Sequence, residues 1–240
     1  MIEYTKVKRN RRKFLALTGL TLKEFQALLP AFDEAYRQGQ AHNKTLAGRK
    51  RKRQWGGGRR SPLDTPEQKL LFILVYQKTY PLQVVLGELF GLSQTSANQW
   101  FHRLLPVLLE ALAALGVKPE RDGSQLGVAE RRTVARRDYI IDGTERRRQR
   151  PKNPEKQALQ YSGKKKAHTD KNVVIVHTRS KRVAYLGPTW PGKTHDKKAA
   201  DQERIAYPRR TVLRKDTGFQ GYEPNVHESL QAKKSRAVRN

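Results

Sequence analysis

The stretch Asp138-Tyr-Ile-Ile-Asp-Gly-Thr-Glu145, running on through Arg146, Arg147, Arg148, Gln149 and Arg150, decides how the chain is read. Tyr139, Ile140 and Ile141 form a short apolar run. Their β-branched and aromatic side chains suit a buried strand. The run ends on Asp142, with Gly143 behind it. A carboxylate at the tip of a buried strand sits on rigid backbone at the edge of a sheet, a favourable place for a metal ligand. Arg146, Arg147, Arg148 and Arg150 follow directly, so an anionic polymer could be held beside the metal. The plainer alternative is a strand closed by an Asp-Gly turn.

Further on, a second strand ends the same way. Thr211-Val-Leu213 reads as a strand, and Lys215-Asp-Thr-Gly-Phe-Gln-Gly221 closes it. Two strands of one sheet, each ending in Asp, can bring two carboxylates together. Such a pair repels, and a divalent ion relieves the repulsion and polarises a phosphate. Oxygen ligands without cysteine favour Mg²⁺ or Mn²⁺ over zinc. Two ions about 4 Å apart would activate water on one side of a phosphodiester and stabilise the leaving oxygen on the other.

Between these strands, Val173-Val-Ile-Val176 and Arg182-Val-Ala-Tyr-Leu186 are joined by a short polar turn and read as a β-hairpin. Lys164, Lys165, Lys166 and His168 stand before it and would border the same sheet edge, in reach of DNA. Residues 187–196 read as a loop and 197–205 as a helix.

The composition agrees with a polyanion partner. Lysine and arginine number 50 against 22 acids, a net charge of +28 spread from end to end, so nucleic acid is the first candidate. A structural RNA binder fits the same charge. With no cysteine, disulfides, thiol catalysis and zinc-thiolate sites are excluded. No apolar run reaches membrane-spanning length and no signal-peptide core follows the basic N-terminus, so a protein of the cytoplasm or nucleoid is expected.

Upstream, residues 14–38 read as one amphipathic helix. Thr21 and Glu24 form a capping box, and Pro30 is an interruption. Residues 44–60 are a basic arm in which Arg49, Lys50, Arg51, Lys52 and Arg53 would track phosphates or enter a minor groove, unless the segment is only a solvated loop. Trp55, within it, would stack on a base or pack on the next domain.

In residues 61–115, Thr65 caps a helix that stops near Pro81, a second helix covers 82–90, Gly91 turns the chain, and Ser93 caps a third. That is the helix-turn-helix pattern. Gln94, Thr95, Ser96, Asn98 and Gln99 are placed to meet base edges or phosphates, and Arg103 a phosphate. An ordinary helical bundle is the alternative. The expected division is an N-terminal helix and arm (1–60), a helix-turn-helix domain (61–115), a linker (116–137) and a catalytic domain (138–240).

Four motifs in order, Ile141-Asp-Gly-Thr-Glu145, Tyr161-Ser-Gly-Lys-Lys-Lys166 with His168, Gly192-Lys-Thr-His-Asp-Lys-Lys198 and Lys215-Asp-Thr-Gly-Phe-Gln-Gly221, resemble the DDE-superfamily transposases of bacterial insertion sequences, the fifth insertion-sequence family group in particular. The resemblance covers roughly residues 61–230. It implies an α+β chain, a helix-turn-helix followed by a ribonuclease-H-like mixed domain. Two Mg²⁺ ions held by Asp, Asp and Glu would cut and join DNA at the element's terminal inverted repeats and at a target. A homodimer is implied, since two ends must be joined. Asp142 corresponds to the first acid and Asp216 to the second. Glu145, Lys165, His168, His195 and Asp196 match motif positions without an assigned role.

The family's third acid, a glutamate on a helix well past the second aspartate, has no counterpart here. Glu223 and Glu228 come too soon and next to Pro224, so an incomplete C-terminus and impaired catalysis are expected. The competing readings are a non-catalytic DNA-binding protein, such as a repressor of the full-length enzyme, and the RNA-associated structural protein.

Overall fold

The computed structural model describes residues 1–41, 61–129 and 137–231. It divides into two compact units, residues 1–117 and 118–240. The basic arm, Arg49 to Arg53 and Trp55 included, lies outside the described residues.

The first unit is helical: α1 (Tyr4–Val7), α2 (Arg11–Thr18), α3 (Leu22–Ala41), α4 (Pro66–Thr79), α5 (Gln83–Phe90) and α6 (Gln94–Ala114). The single helix expected over 14–38 is two. Gly19 sits at φ +73° and ends α2, a left-handed cap that favours glycine. The capping box then starts α3. The Thr21 amide donates to Glu24 Oε2 at 2.7 Å, and the Glu24 amide to Thr21 Oγ1 at 3.3 Å.

Helix α4 is the axis of this unit. Nine consecutive residues, Gln68 to Tyr76, are buried, as in a helix wrapped on all sides. Its two buried polar residues are satisfied. Gln68 accepts from the Tyr4 amide and donates to the Ile2 carbonyl, which stitches the N-terminus to the helix. Lys69 donates to the Asp64 carbonyl at 2.7 Å and lies over the rings of Tyr36 and Trp100. Burial pushes its ammonium pKa down.

The second unit runs α7 (Leu126–Ala129), β1 (Arg137–Arg147), α8 (Pro154–Gln160), β2 (Tyr161–Ser162), β3 (Ala167–His177), β4 (Val183–Leu186), β5 (Trp190–Pro191), α9 (Asp196–Glu203), β6 (Thr211–Lys215) and β7 (Glu228–Gln231). The sheet order is β2-β3-β1-β6-β7, with β4 and β5 also on β3. Strand β1 is central, antiparallel to β3 on one side and parallel to β6 on the other, and β7 is parallel to β6. This is an α+β chain whose sheet has the ribonuclease-H-like arrangement. The expected hairpin is β3–β4, closed by the His177 amide on the Arg182 carbonyl.

Three details differ from expectation. Strand β1 is eleven residues long, so Asp142 is mid-strand and not at a tip. The reason is asymmetric pairing: β6 stops at Lys215 opposite Ile141, while β3 holds β1 as far as Arg147. Residues around Glu228 form a strand beside β6, where the sequence carried no strand expectation. Part of the stretch read as a linker packs on the second unit. The Glu120 amide donates to the Ala184 carbonyl, and Leu126 is fully buried with Tyr139 and Ile175.

One sheet face carries the core. Tyr139, Ile141, Val173, Ile175 and Leu213 meet Ala199, Ala200 and Phe219. Two carboxylates are set into this side. Glu203 accepts from Trp190 Nε1 at 2.6 Å and Tyr185 Oη at 2.8 Å, and burial pushes its pKa up despite those donors. Asp196 fits against two glycines. A Cβ on Gly143 would lie 2.6 Å from Asp196 Oδ1, and one on Gly218 2.8 Å from Oδ2. Lys171 Nζ, itself buried, pairs with Asp196 at 2.9 Å and donates to the Thr194 carbonyl.

Gly143→Ala is therefore expected to destabilise the second unit by about 1–3 kcal/mol through overpacking, read as a lower denaturant midpoint with an unchanged slope. An unchanged midpoint would mean that the Asp196 side chain simply moves aside. Because the folded pKa of Glu203 is raised, its contribution to stability is full at low pH and is lost as pH rises from the ordinary carboxylate range through the raised value. Glu203→Gln should flatten stability against pH in that window, as measured by thermal melts across it.

Candidate DNA-processing site

The pairing of β1 with β6 sets the geometry of the two acids. Ile141 and Lys215 are register partners, so Asp142 and Asp216 are each one residue beyond the last parallel pair. Asp216 is itself extended, at φ −78° and ψ 167°, and continues the strand direction. Neighbouring strands lie about 4.8 Å apart, so the two backbones are on the order of 5 Å apart at these positions. Side chains alternate along a strand, and Ile141 and Lys215 are both buried on the core side. Asp142 and Asp216 thus share the opposite face, and both are exposed.

Each acid is anchored by one oxygen to the next backbone amide. Asp142 Oδ1 accepts from Gly143 N at 2.7 Å, and Asp216 Oδ1 from Thr217 N at 2.6 Å. Asp-Gly within β1 and Asp-Thr-Gly after β6 each deliver a glycine to Asp196 beneath. Asp196 therefore supports both acids from the core side and is not a third member of their face. The donor set suits a hard cation, as two carboxylates at adjoining sheet positions supply oxygen ligands. Among the described residues, however, no three His, Asp or Glu side chains gather as a metal site. Glu223 is elsewhere, at 3.3 Å from the Lys215 ammonium on the core side.

Glu145, matched to the family without a role, has a structural one here. Burial pushes its carboxyl up, but hydrogen bonds from Ser162 and Thr169 and the charges of Lys171 and Lys165 outweigh that, and the net shift is downward. Thr169 Oγ1 donates to it at 2.6 Å. This contribution has the opposite sign to that of Glu203, being present above the ordinary carboxylate pKa and lost as pH falls through the lowered value.

The expected DNA contacts fall into two groups. On the first unit, α5, the turn at Gly91 (φ +67°) and α6 form the helix-turn-helix. Gly87 is required for the tight turn, since a Cβ there would sit 2.5 Å from the Leu92 carbonyl. Ser93 caps α6 by accepting from the Ser96 amide. Gln94, Thr95 and Gln99 are exposed, Ser96 and Asn98 half-buried, and Arg103 lies over the Trp100 ring at 5.0 Å.

On the second unit, Lys164, Lys165 and Lys166 are exposed in the β2–β3 turn and His168 is the second residue of β3. Arg147 is exposed. Arg146 donates to Asn172 at 2.8 Å, and Arg148 pairs with Asp170 at 2.8 Å, so these two also brace the β1–β3 ribbon. Sequence reasoning missed the brace formed by Lys171 and Asp196. The signal was the Gly-Lys-Thr-His-Asp motif itself, whose aspartate opens α9.

No helix among the described residues is long and apolar enough to cross a membrane. Residues 61–114 match the family described as the helix-turn-helix of DDE superfamily endonuclease, and residues 141–234 match DDE superfamily endonuclease. No protein of curated function matches the chain. No solved structure matches it. The two family matches follow one another as the helical unit and the sheet do, and the chain belongs to the DDE-superfamily transposases.

Proposed function

We propose that this chain binds the terminal inverted repeats of an insertion sequence and acts on their phosphodiesters at Asp142 and Asp216. The observation that supports this most directly is the parallel register, which sets the two carboxylates side by side on an exposed sheet face. Asp142 and Asp216 would hold Mg²⁺ or Mn²⁺. One or two such ions, when bound, would activate water and stabilise the leaving oxygen. The chain's own residues do the rest. The amides of Gly143 and Thr217 fix one oxygen of each carboxylate and so its rotamer. Asp196 and Lys171 hold the backbone beneath. The exposed lysines of the β2–β3 turn and Arg147 draw the DNA backbone to this end of the sheet. Joining two element ends calls for two copies of the chain, and the work belongs at the nucleoid in the cytoplasm.

A second reading rests on one specific observation, the lack of a third carboxylate or histidine beside the pair among the described residues. On that reading, ion binding is weak, cutting and joining are impaired, and the chain acts as a DNA-binding protein that occupies the element ends.

Mn²⁺ titration of the purified protein followed by water-proton relaxation separates the two. Under the catalytic reading, Asp142→Asn and Asp216→Asn each weaken Mn²⁺ binding about tenfold or more, abolish nicking of an end-bearing duplex, and leave duplex affinity unchanged. Identical titrations for wild type and both variants would sink the acid-pair assignment. For the DNA-binding unit, the doubly substituted Gln94→Ala/Gln99→Ala protein should lose about 1–3 kcal/mol of preference for the cognate end per lost base contact, with the salt dependence of binding unchanged. A changed salt slope with intact preference would instead place those glutamines on the phosphates.

A further inference from the structure

On the second unit, away from the acid pair, an open cleft of about 740 Å³ is lined by residues including Arg150, Gln157, Tyr161, Gly163, His168 and Lys193. Its size lies within the usual range of small-molecule clefts, roughly 300–1,000 Å³. Its chemistry is one-sided. Three lining residues are Arg, Lys and His, and none of the described residues that line it is acidic. Two rings form a corner: Tyr161 and His168 are register partners across β2 and β3, with centroids 5.6 Å apart and planes at 71°. Tyr161 is 45% exposed, so part of its ring is open to a ligand.

The walls are tied together. The Arg150 guanidinium donates twice to Gln157 Oε1, at 3.0 and 2.8 Å, and Gln157 donates onward to the Pro151 carbonyl. The Lys193 amide donates to the Leu159 carbonyl, and the Gly192 amide to the Thr169 carbonyl. A corner of aromatic faces with cations around it, already held in place, suits a flat ring that carries an anion.

We propose that this cleft holds one unstacked nucleotide of a single-stranded DNA end, its base against Tyr161 and His168 and its phosphate toward Arg150 and Lys193. The proposal rests on the DNA-processing reading for its choice of ligand. The Arg148 amide donates to the His168 carbonyl, which puts the cleft at the far end of β1. Six residues separate Arg148 from Asp142, about 20 Å of strand at ~3.3 Å each, or on the order of six stacked nucleotides at ~3.4 Å and fewer if the strand is stretched. The captured nucleotide therefore lies a fixed few positions from the phosphodiester at the acid pair, close enough to set which bond is presented there.

The test uses the full chain, without divalent ions, and single-stranded decamers in which one abasic site is walked along the sequence. One position is expected at which loss of the base lowers affinity about tenfold, and 2-aminopurine at that position should be quenched on binding. Tyr161→Ala should remove both effects and Tyr161→Phe should keep them. Arg150→Ala should weaken intact and abasic strands alike and reduce the salt slope by about one. Equal binding of all abasic strands, or a positional effect that survives Tyr161→Ala, would overturn the proposal. Because no ion or cleavage enters the measurement, its failure is independent of the Mn²⁺ result at Asp142 and Asp216.

Discussion

Everything in the second unit depends on the parallel register between β1 and β6. Side chains alternate across a strand, so a slip of one residue would turn Asp142 into the core and Ile141 out to solvent. The register is held from both faces. On the core side, Tyr139, Ile141 and Leu213 pack together, and Asp196 sits against the glycines that follow each acid. On the other face nothing apolar is demanded of Asp142 or Asp216, so both remain exposed. The glycines are thus not merely turn residues. They leave the space that lets a carboxylate on α9 reach both strands of the β1–β6 pair, and Lys171 from β3 pairs with that carboxylate.

The two units divide the work of DNA recognition along physical lines. A capped helix with exposed amide side chains in its first turns can read base edges, and it gains specificity more than affinity. The sheet end carries cations and rings, groups of the kind that can hold a backbone and a base without reading sequence. A net charge of +28 supplies attraction everywhere and so cannot by itself position a strand. Groups whose rotamers are fixed, such as Arg150 on Gln157 and Arg148 on Asp170, are better suited to that.

Much of this was legible in the sequence where the cause is local. The capping box at Thr21, the cap at Thr65 followed by Pro66 and the cap at Ser93 all lie where their side chains say. The strand ending at Asp216 could be placed from an apolar run followed by Asp and glycine, and the same signal at Asp142 found the strand but not its end. What stayed hidden is non-local. The length of β1 depends on how far β3 accompanies it, which no periodicity within residues 138–147 encodes. Helix α8 and the short strands β2 and β5 rest on contacts with β3, and β7 rests on β6. The burial of Glu203 is set by Trp190 and Tyr185, 13 and 18 residues away. For the same reason the supporting role of Asp196 could be matched by motif but not understood.

The electrostatics of the acid pair explain why this fold can stand before any ion arrives. Two unit charges about 4 Å apart repel by about 1 kcal/mol in water and about 4 kcal/mol at an effective dielectric of 20. Asp142 and Asp216 are both exposed, so water screens their repulsion, and each carboxylate recovers part of it by accepting a backbone amide. The surplus of 28 positive charges offsets more. On the proposed reading, ion binding here would be a functional event, unlike a structural metal site in which the ion supplies the folding energy. The same arithmetic limits affinity: a pair that is comfortable without an ion gains only modestly from one, and tight binding requires either a further ligand or the phosphate oxygens of the bound DNA.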